Sequence, residues 1–375
     1  MRCAIVHYWL MKMRGGEKVV EALCRLLPEA DIFTLFYDPK QISPVINSHK
    51  ITASFLNPLR RSYRSLLPLM PLALDHLDLR GYDLVISSES GPAKGVLTSS
   101  STRHICYCHS PMRYLWDLYP DYFYDWTRSR VKRALMAPLT HYLRLWDYST
   151  AARVDDFVAN SYNVKRRIQK AYRRESQVIY PPVAVDRFYY APPEDYYLIV
   201  SALTAYKRIE DAVRCCSRTG RKLKIVGEGP EFRRLKNMAN SNIEFCGNVP
   251  DSQLRDLYAR SRAFLLPGEE DFGIAAVEAT ASGKAVIALG RGGVLETAPL
   301  SELFYSEPGE FHLESAIRRF EAAEAGIDSE ALEEHARQFS EQRFAAQMRA
   351  VIDRGRPSPA VRDERHRLFP LASRV

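Results

Sequence analysis

Residues 263–283 read AFLLPGEEDFGIAAVEATASG. The apolar run predicts a buried strand, the Pro-Gly pair predicts a turn, and the residues after Gly273 follow a helical pattern. The free N–H groups and the positive end of such a helix form a natural anion site. Glu270 and Glu278 flank the helix start, about 12 Å apart along a helix axis at about 1.5 Å per residue. That distance matches the reach of a sugar joined to a ribose through a diphosphate. A helix with an acidic first turn and one solvated glutamate would show the same letters.

The size and composition favour a soluble two-domain protein. The chain has 375 residues, of which 46% are hydrophobic and 26% charged, and this length suits two α/β domains. No apolar run reaches 18 residues, and the N-terminus is too quickly polar for a signal peptide, so we expect a cytosolic protein. The seven cysteines are an odd number, which favours reduced core thiols. Cys106, Cys108 and His109 lack a second pair at zinc spacing, so no metal site is predicted.

Positive charge is concentrated in one region. Between Arg128 and Arg174 twelve lysines or arginines face three acidic residues, whereas the whole chain has a net charge of +8. Such a region suits an anionic membrane surface, nucleic acid or an anionic substrate.

The first half alternates short apolar strands with helices. This alternation is typical of a parallel sheet covered on both faces. The predicted strands are 3–7, 32–36, 84–87, 104–107, 157–159 and 178–180, and the predicted helices are 17–27 and 162–172.

The second half repeats the alternation after a proline-rich passage at 181–182 and 191–195, where we place the domain boundary. Two doubly wound domains facing each other would bind a ligand in the cleft beyond the strand ends. The predicted strands are 197–200, 224–226, 243–245, 263–266 and 285–289, and the predicted helices are 209–218, 230–238, 251–261, 273–282 and 313–325.

Two stretches, 59–67 and 131–146, interleave aromatic and aliphatic residues with arginine and lysine. Each one alone is equally compatible with a solvated helix, but together they favour contact with a membrane surface. No nucleic-acid-binding motif is present, and none is predicted. The Pro- and Arg-rich end from about Arg354 is predicted to be a mobile tail.

Further motifs follow the same order as those of a known family. They are Gly15-Gly16-Glu17-Lys18, Cys108-His109-Ser110-Pro111-Met112-Arg113-Tyr114, Tyr206-Lys207-Arg208, Val226-Gly227-Glu228-Gly229-Pro230 and the paired glutamates. Over roughly residues 1–350 the chain resembles the family-4 retaining glycosyltransferases of the GT-B type. The run from Cys108 to Tyr114 is similar to that of the GDP-mannose-dependent mannosyltransferases of bacterial surface-polysaccharide assembly.

The resemblance implies an α/β fold with two Rossmann-like parallel-sheet domains facing a central cleft. Residues 1–188 would form the acceptor-binding domain and 189–339 the nucleotide-sugar domain. A helix at about 340–354 would pack back onto the first domain, and 355–375 would form the mobile tail.

The resemblance also assigns roles to single residues. His109, Glu270 and Lys207 would be catalytic, with Glu270 on the donor sugar and Lys207 on the diphosphate, whose leaving charge a fixed cation stabilises. Glu278 would hold the ribose diol. The remaining donor-binding residues would be Gly15, Gly16, Arg113, Arg208, Gly227, Glu228, Phe272, Gly273 and Ile274.

One position departs from the family pattern. Many relatives place an arginine shortly before the phosphate-binding lysine, where this chain has Ser201-Ala202-Leu203. An alanine side chain cannot bind phosphate, so Lys207, Arg208 and Arg113 would supply the positive charge.

These observations predict a retaining hexosyltransferase that moves mannose from GDP-mannose to a lipid-linked oligosaccharide. It would need no metal or other cofactor and would lie on the inner face of the cell membrane as a peripheral protein. The alternatives are a transferase for a UDP-sugar or another GDP-sugar, a nucleotide-sugar epimerase on the same fold, and a non-catalytic subunit. No side chain of the predicted site stands out as the covalent nucleophile that the double displacement of retaining hydrolases requires.

Overall fold

The first half of the chain forms a parallel sheet. A computed structural model describes residues 1–121, 123 and 129–354. The sheet has seven strands in the order β3-β2-β1-β4-β5-β6-β7. Its strands are Cys3–Leu10 (β1), Asp31–Tyr37 (β2), Ile51–Ala53 (β3), Leu84–Glu89 (β4), Arg103–Cys108 (β5), Asp156–Ala159 (β6) and Ser176–Val178 (β7).

Helices cover both faces of this sheet. On one face, Leu23 and Val20 of the first helix pack against Ile5 and Ile86 of the sheet. On the opposite face, Val6 and Leu74 belong to a second cluster. The helices are Gly15–Leu26 (α1), Pro44–Asn47 (α2), Met70–Asp75 (α3), Arg130–Thr150 (α4) and Tyr162–Tyr172 (α5), and a 3₁₀ segment spans Asn57–Leu69.

The second half forms another parallel sheet, of six strands in the order β10-β9-β8-β11-β12-β13. Its strands are Tyr197–Val200 (β8), Leu223–Val226 (β9), Ile243–Gly247 (β10), Ala263–Leu266 (β11), Ala285–Leu289 (β12) and Phe304–Tyr305 (β13). The helices are Ile209–Thr219 (α6), Phe232–Met238 (α7), Asp251–Arg260 (α8), Ile274–Ala281 (α9), Val294–Thr297 (α10), Glu310–Ala323 (α11), Ser329–Ala336 (α12) and Glu341–Arg354 (α13).

The strand order changes direction beside β1 and beside β8, because later strands are added on the other side of each. Ligands of doubly wound sheets bind at such switch points, beyond the carboxyl ends of the strands. These ends of the two sheets face one cleft. The predicted α/β fold with two parallel-sheet domains is therefore confirmed.

The last described helix returns to the first domain. Phe344, Met348 and Ile352 of α13 are buried in the same cluster as Ile5 of β1. Arg103 of β5 donates hydrogen bonds to the carbonyl oxygens of Val351 and Ile352, at 3.0 and 3.1 Å. The predicted tail at 355–375 lies outside the described residues.

One predicted strand was misplaced. It was expected at 178–180, but β7 covers Ser176–Val178. A residue that precedes proline has a restricted backbone, and Tyr180 precedes Pro181. The Tyr180 ring leaves the sheet and packs against Phe272, with ring centroids 5.6 Å apart. The short strands β3 and β13 and the helices α2, α3, α10 and α12 were not predicted.

Two further properties bear on the composition-based predictions. In the described parts of the chain, no helix has the length and apolar character needed to cross a membrane. All seven cysteines lie within the described residues and none forms a disulfide; six are buried and Cys246 is partly exposed, which agrees with the expected reduced core thiols.

Candidate active site between the two domains

The glycine pair lies where the domains touch. Gly15 and Gly16 begin α1, directly after β1 and its loop. A Cβ atom on Gly15 would lie 2.8 Å from Cδ1 of Ile274, in the first turn of α9 of the other domain. A Cβ atom on Gly16 would lie 3.4 Å from Cε1 of His7 and 3.7 Å from Nε2 of His109. The absence of side chains therefore lets the two domains approach closely beside His109.

His109 directly follows β5, and residues of the neighbouring strand β4 hydrogen-bond to its side chain and its main chain. Its Nε2 atom lies 2.9 Å from Oγ of Ser88, on the neighbouring strand β4. Its main-chain N–H donates to the carbonyl oxygen of Glu89 at 2.7 Å. Burial, with a smaller effect of His7, lowers the pKa of His109 to about 3. The ring is therefore neutral at physiological pH.

The paired glutamates occupy two different environments. Glu270 lies in the loop between β11 and α9, where it forms an ion pair with Lys207. Glu278 lies on α9 and is 6% exposed. It accepts a hydrogen bond from the hydroxyl of Tyr258 at 3.0 Å, and Nζ of Lys18 lies 3.3 Å away across the cleft. The two carboxylates are thus held by different cations.

Glycines flank helix α9, which carries Glu278: Gly273 immediately precedes it, and Gly283 follows two residues after its end. Gly273 has a φ of +96° and Gly283 a φ of +66°, which are backbone conformations that glycine adopts readily. Gly273 lets the chain turn sharply from the Glu270 loop into α9. The first N–H groups of α9 consequently face the cleft next to Glu270.

Lys207 and Arg208 are adjacent in sequence but point to different partners. Burial opposes the charge of Lys207, yet Glu270, Tyr206 and Asp271 together raise its pKa above the ordinary value. The loop approaches so closely that a Cβ atom on Gly268 would lie 2.7 Å from Cα of Lys207. Arg208, by contrast, donates to Asp211 on α6 at 2.9 Å. Of these two cations, Lys207 is therefore the one paired with a carboxylate of the cleft.

The Gly227–Gly229 loop is packed against the segment that contains Ala202. Gly227 has a φ of +127°, and a Cβ atom there would lie 2.0 Å from the carbonyl oxygen of Ser201. The main-chain N–H of Leu203 donates to the carbonyl oxygen of Glu228 at 3.0 Å. The glycine is therefore required by close backbone packing.

Arg113 belongs to an ion-pair cluster that joins the domains, which we call the interdomain ion cluster. It consists of Arg113, Asp117 and Arg167 from the first domain and Glu269 and Asp271 from the second. Burial opposes the charge of Arg113, but Asp271, Asp117 and Glu269 raise its pKa. Apart from Arg113, no member was predicted as a site residue. Arg167 was visible in the sequence only as part of the basic region.

Two cavities lie on either side of the first turn of α9. The first, of about 290 Å³, includes seven of the predicted residues among its lining. The second, of about 270 Å³, is lined by Ile274 and Glu278 and by Lys18. Lys207 and Arg113 are linked to the first cavity by their carboxylate partners, whereas Arg208, Gly227 and Glu228 line neither. The predicted residues lining the first cavity are Gly15, Gly16, His109, Glu270, Phe272, Gly273 and Ile274.

Two supporting contacts were missed by the sequence analysis. The main-chain N–H of Gly293 donates to the carbonyl oxygen of Glu270 at 2.8 Å and supports its loop. Glu296 of α10 accepts hydrogen bonds from the N–H groups of Tyr162 and Asn163, at 2.8 and 2.9 Å, and so caps α5 of the other domain. A signal for the first contact was the glycine-rich run 290–293 after β12, since such runs permit close backbone approach.

This arrangement can bind an anion and orient hydroxyl groups. The start of α9 and Lys207 provide N–H donors and positive charge. Glu270 in the preceding loop and Glu278 on the helix provide hydrogen-bond acceptors. Within the described residues, no group of three His, Cys, Asp or Glu side chains could hold a metal ion. Independence from metals stays a prediction.

Comparison with known proteins identifies both domains. Residues 13–187 match the model "Glycosyltransferase Family 4", and residues 189–341 match "Glycosyl transferases group 1". A 99-residue segment is 34% identical to the gpi3 subunit of phosphatidylinositol N-acetylglucosaminyltransferase from Schizosaccharomyces pombe. This match spans 25% of the chain and 22% of the relative's length. Both halves of the chain are therefore glycosyltransferase domains.

Solved structures share the whole architecture. HepE of Anabaena in complex with UDP-glucose is 16% identical, with a TM-score of 0.72 over 94% of this chain and 100% of that one. Sucrose-phosphate synthase from Thermosynechococcus elongatus is 17% identical, with a TM-score of 0.70 over 94% and 99%. The lipopolysaccharide outer core galactosyltransferase WaaB is 15% identical, with a TM-score of 0.60 over 94% and 99%. These likenesses confirm the predicted GT-B fold.

Proposed function

We propose that this chain, built from two glycosyltransferase domains of the GT-B fold, is a retaining hexosyltransferase. It transfers mannose from GDP-mannose to a lipid-linked oligosaccharide during polysaccharide assembly. The observation that carries the proposal is the Lys207–Glu270 pair at the start of α9, opposite Gly15, Gly16 and His109. A cation, a helix N-terminus and hydroxyl acceptors meet there around one cavity.

The donor nucleotide would lie along α9. Its diphosphate would take positions near Lys207 and the first N–H groups of the helix, where developing negative charge is stabilised. Glu270 would accept hydrogen bonds from hydroxyls of the hexose, and Glu278 from the ribose diol. Binding at Glu278 would require Lys18 to move aside, because Lys18 now contacts the same carboxylate.

We propose direct transfer rather than a covalent glycosyl-enzyme, as the resemblance to the retaining glycosyltransferases implies. The two acidic residues that line the first cavity form ion pairs, Glu270 with Lys207 and Asp271 with Arg113 and Arg167. We assign neither of them as a nucleophile. The bond from the anomeric carbon to the diphosphate breaks, and the acceptor oxygen bonds to the same face. The acceptor proton passes to the departing diphosphate oxygen, and catalysis relies on orientation and charge stabilisation.

The sequence favours mannose, and one relative favours an alternative. The run from Cys108 to Tyr114 resembles that of mannosyltransferases, which supports GDP-mannose. HepE, which shares the fold, was solved with UDP-glucose. A UDP-sugar, or another GDP-sugar, is therefore the second candidate donor.

The first domain has a surface suited to an anionic membrane. Val131, Leu135, Tyr142 and Leu145 of α4 are each more than half exposed, and their spacing puts them on one side of the helix. The 3₁₀ segment 57–69 packs beside α4, since Leu67 joins the cluster around Leu143. Lipid contact by these apolar side chains, flanked by cations, would bring the enzyme to its acceptor. The flanking cations are Arg60, Arg61, Arg64, Arg130, Lys132 and Arg133.

A donor screen tests the proposed activity. Purified protein is mixed with GDP-mannose, GDP-fucose, UDP-glucose and ADP-glucose, and binding is measured by calorimetry. The proposal expects GDP-mannose to bind best and to be consumed only when a polyprenyl-diphosphate oligosaccharide is added. Conversion of the sugar without acceptor would identify an epimerase, and preference for UDP-glucose would identify the second candidate.

Single substitutions test the assigned site. Lys207→Ala and Glu270→Ala should each lower kcat by roughly 100-fold or more, the effect expected for losing a group that stabilises charge or position in the transition state. Lys222→Ala is the matched control, because Lys222 pairs with the exposed Asp195 at 3.2 Å, precedes the amino end of β9 and does not line the first cavity. Unchanged transfer in both site variants would refute the site assignment.

A further inference from the structure

Ser88 connects the interior of the first sheet to His109. Ser88 lies on β4, beside His7 of β1, and is fully buried. Its carbonyl oxygen is 2.8 Å from Nδ1 of His7, and its hydroxyl oxygen is 2.9 Å from Nε2 of His109. One serine thus contacts two histidines at the carboxyl ends of neighbouring strands.

The direction of the Ser88–His109 hydrogen bond follows from counting protons. The hydroxyl of Ser88 has one proton to donate, and among the described residues Nε2 of His109 is the only acceptor recorded for it. If Nε2 were protonated instead, the buried hydroxyl proton would have no acceptor, which costs about 1–3 kcal/mol. The serine therefore donates and Nε2 accepts.

This direction fixes the tautomer of the ring. A neutral imidazole has one N–H, and when Nε2 accepts, the proton is on Nδ1. His109 is one of the residues that line the first cavity, and within the described chain no hydrogen bond is seen at its Nδ1. Nδ1–H is thus the group left to meet a ligand.

We propose that Ser88 is a positioning residue that holds His109 as the Nδ1–H tautomer, so that His109 donates a hydrogen bond to a hydroxyl oxygen of the transferred hexose. This inference rests on the proposed function, because it takes the first cavity as the sugar site. In this role His109 cannot act as a general base at Nδ1, since that nitrogen already carries the proton.

The neighbouring residue Ser87 provides a matched control. Ser87 is also buried, and its Oγ lies 2.8 Å from Nε2 of His104. Nδ1 of His104 lies 3.2 Å from the carbonyl oxygen of Arg153, which can only accept, so His104 must carry its proton on Nδ1. Neither Ser87 nor His104 lines the first cavity. The same hydrogen bond therefore occurs twice on adjacent residues, and only one copy faces the proposed site.

Nitrogen-15 NMR of histidine-labelled, ligand-free full-length protein tests the tautomer directly. We expect His109 to show the Nδ1–H pattern, identical in type to that of His104, and Ser88→Ala to change the pattern of His109 alone. The signals are assigned by their loss in His109→Asn and His104→Gln. An Nε2–H pattern for His109 in the unmodified protein would overturn the inference.

Transfer kinetics test the consequence. Ser88→Ala should lower kcat roughly tenfold, the factor that corresponds to losing one hydrogen bond, while Ser87→Ala leaves kcat unchanged. An asparagine amide can occupy the place of Nδ1–H, whereas a glutamine amide reaches toward Nε2, so His109→Asn should retain more activity than His109→Gln. The reverse order, or equal loss in the two serine variants, would contradict the proposal. Failure of every donor to bind would refute the proposed function but not the tautomer, which NMR reads without any ligand.

Discussion

At the scale of single residues, the sequence predicted seven residues that line the first cavity, but not the ion pairs that surround it. The paired glutamates were read from a local motif, because strand, turn and helix signals lie within twenty residues, whereas the role of Lys207 came from the family resemblance. Arg113 was assigned to the donor, yet it is held by Asp117 nearby and by two acidic residues about 160 positions away. A single sequence contains no local signal for such a long-range ion pair.

Gly292 illustrates a residue that acts on the site through the backbone. It has a φ of +76°, and a Cβ atom there would lie 2.3 Å from the carbonyl oxygen of Glu270. Gly292→Ala should lower the free energy of unfolding by about 3 kcal/mol and displace Glu270, which should also reduce donor binding. Urea unfolding and calorimetry measure the two effects.

Gly220→Ala is the control for Gly292→Ala. Gly220 has a similar φ of +72°, but no atom lies within 4 Å of the position that an added Cβ atom would take. Gly220→Ala should introduce only backbone strain, which lowers the free energy of unfolding by about 1 kcal/mol, and donor binding should be unchanged. Equal effects of the two substitutions would show that the contact with Glu270 has no role.

His104 makes the stability of the protein depend on pH. Burial lowers its pKa to about 4 in the folded protein, whereas an unfolded histidine has a pKa of about 6.5. Between these values the unfolded state binds the extra proton, so the free energy of unfolding falls as the pH falls from 6.5 toward 4. The expected contribution between pH 6 and pH 5 is about 1 kcal/mol.

Comparing the protein with His104→Gln isolates this contribution. Glu89 acts in the opposite direction, because burial raises its pKa to about 7, so the slope of the unmodified protein alone is not decisive. Urea unfolding at pH 5 and pH 6 should show the difference between the two proteins shrinking at the lower pH. A constant difference would mean that His104 titrates normally in the folded state.

At the scale of elements, the strongest local patterns gave the most accurate predictions. The helix Tyr162–Tyr172 and the strand Ala263–Leu266 were predicted with their exact ends. A capping serine marks the start of the helix, and the limits of a uniform apolar run mark those of the strand. The strands Ile51–Ala53 and Phe304–Tyr305 were missed, since two or three residues carry no periodic signal. Their places are set by pairing at the sheet edges, which is tertiary information.

Helix α5 depends on a cap from the other domain. Glu296 accepts hydrogen bonds from the N–H groups of Tyr162 and Asn163. Glu296→Gln replaces one acceptor oxygen by an NH₂ group, so hydrogen exchange at these two amides should accelerate roughly tenfold. Glu302→Gln, at an exposed position of the same domain, should leave them unchanged. Equal exchange in both variants would exclude the interdomain cap.

Helix α4 should dock on lipid through its exposed apolar side. Leu135 is 70% exposed, and burying one leucine stabilises binding by about 2 kcal/mol. Leu135→Glu should therefore weaken sedimentation with vesicles that contain phosphatidylserine by at least about tenfold. Leu295→Glu, at a similarly exposed leucine of the second domain, should bind normally. If both variants bind the vesicles as well as the unmodified protein does, the membrane contact lies elsewhere.

At the scale of the whole molecule, the sequence predicted two facing domains but not how they are joined. The alternation of strands and helices, and the prolines at 181–182, were sufficient for the architecture. The interdomain ion cluster, the Glu296 cap and the contact of Gly15 with Ile274 all join residues more than 100 positions apart. These contacts join the two domains beside the first cavity.

Arg167 should control the opening of that cleft. Its guanidinium pairs with Glu269 and Asp271 of the second domain and with Asp117 of its own. Arg167→Gln removes the cation, so the free energy that favours the closed arrangement of the two domains should fall by about 2 kcal/mol. The radius of gyration in small-angle scattering should therefore rise.

Arg234→Gln is the control, because Arg234 also binds two carboxylates but within one domain. Since ion pairs of partly exposed groups are screened by salt, about 1 M NaCl should expand the unmodified protein and the control, but add little to Arg167→Gln. Identical scattering of all three proteins at both salt concentrations would show that the ion cluster does not hold the domains together.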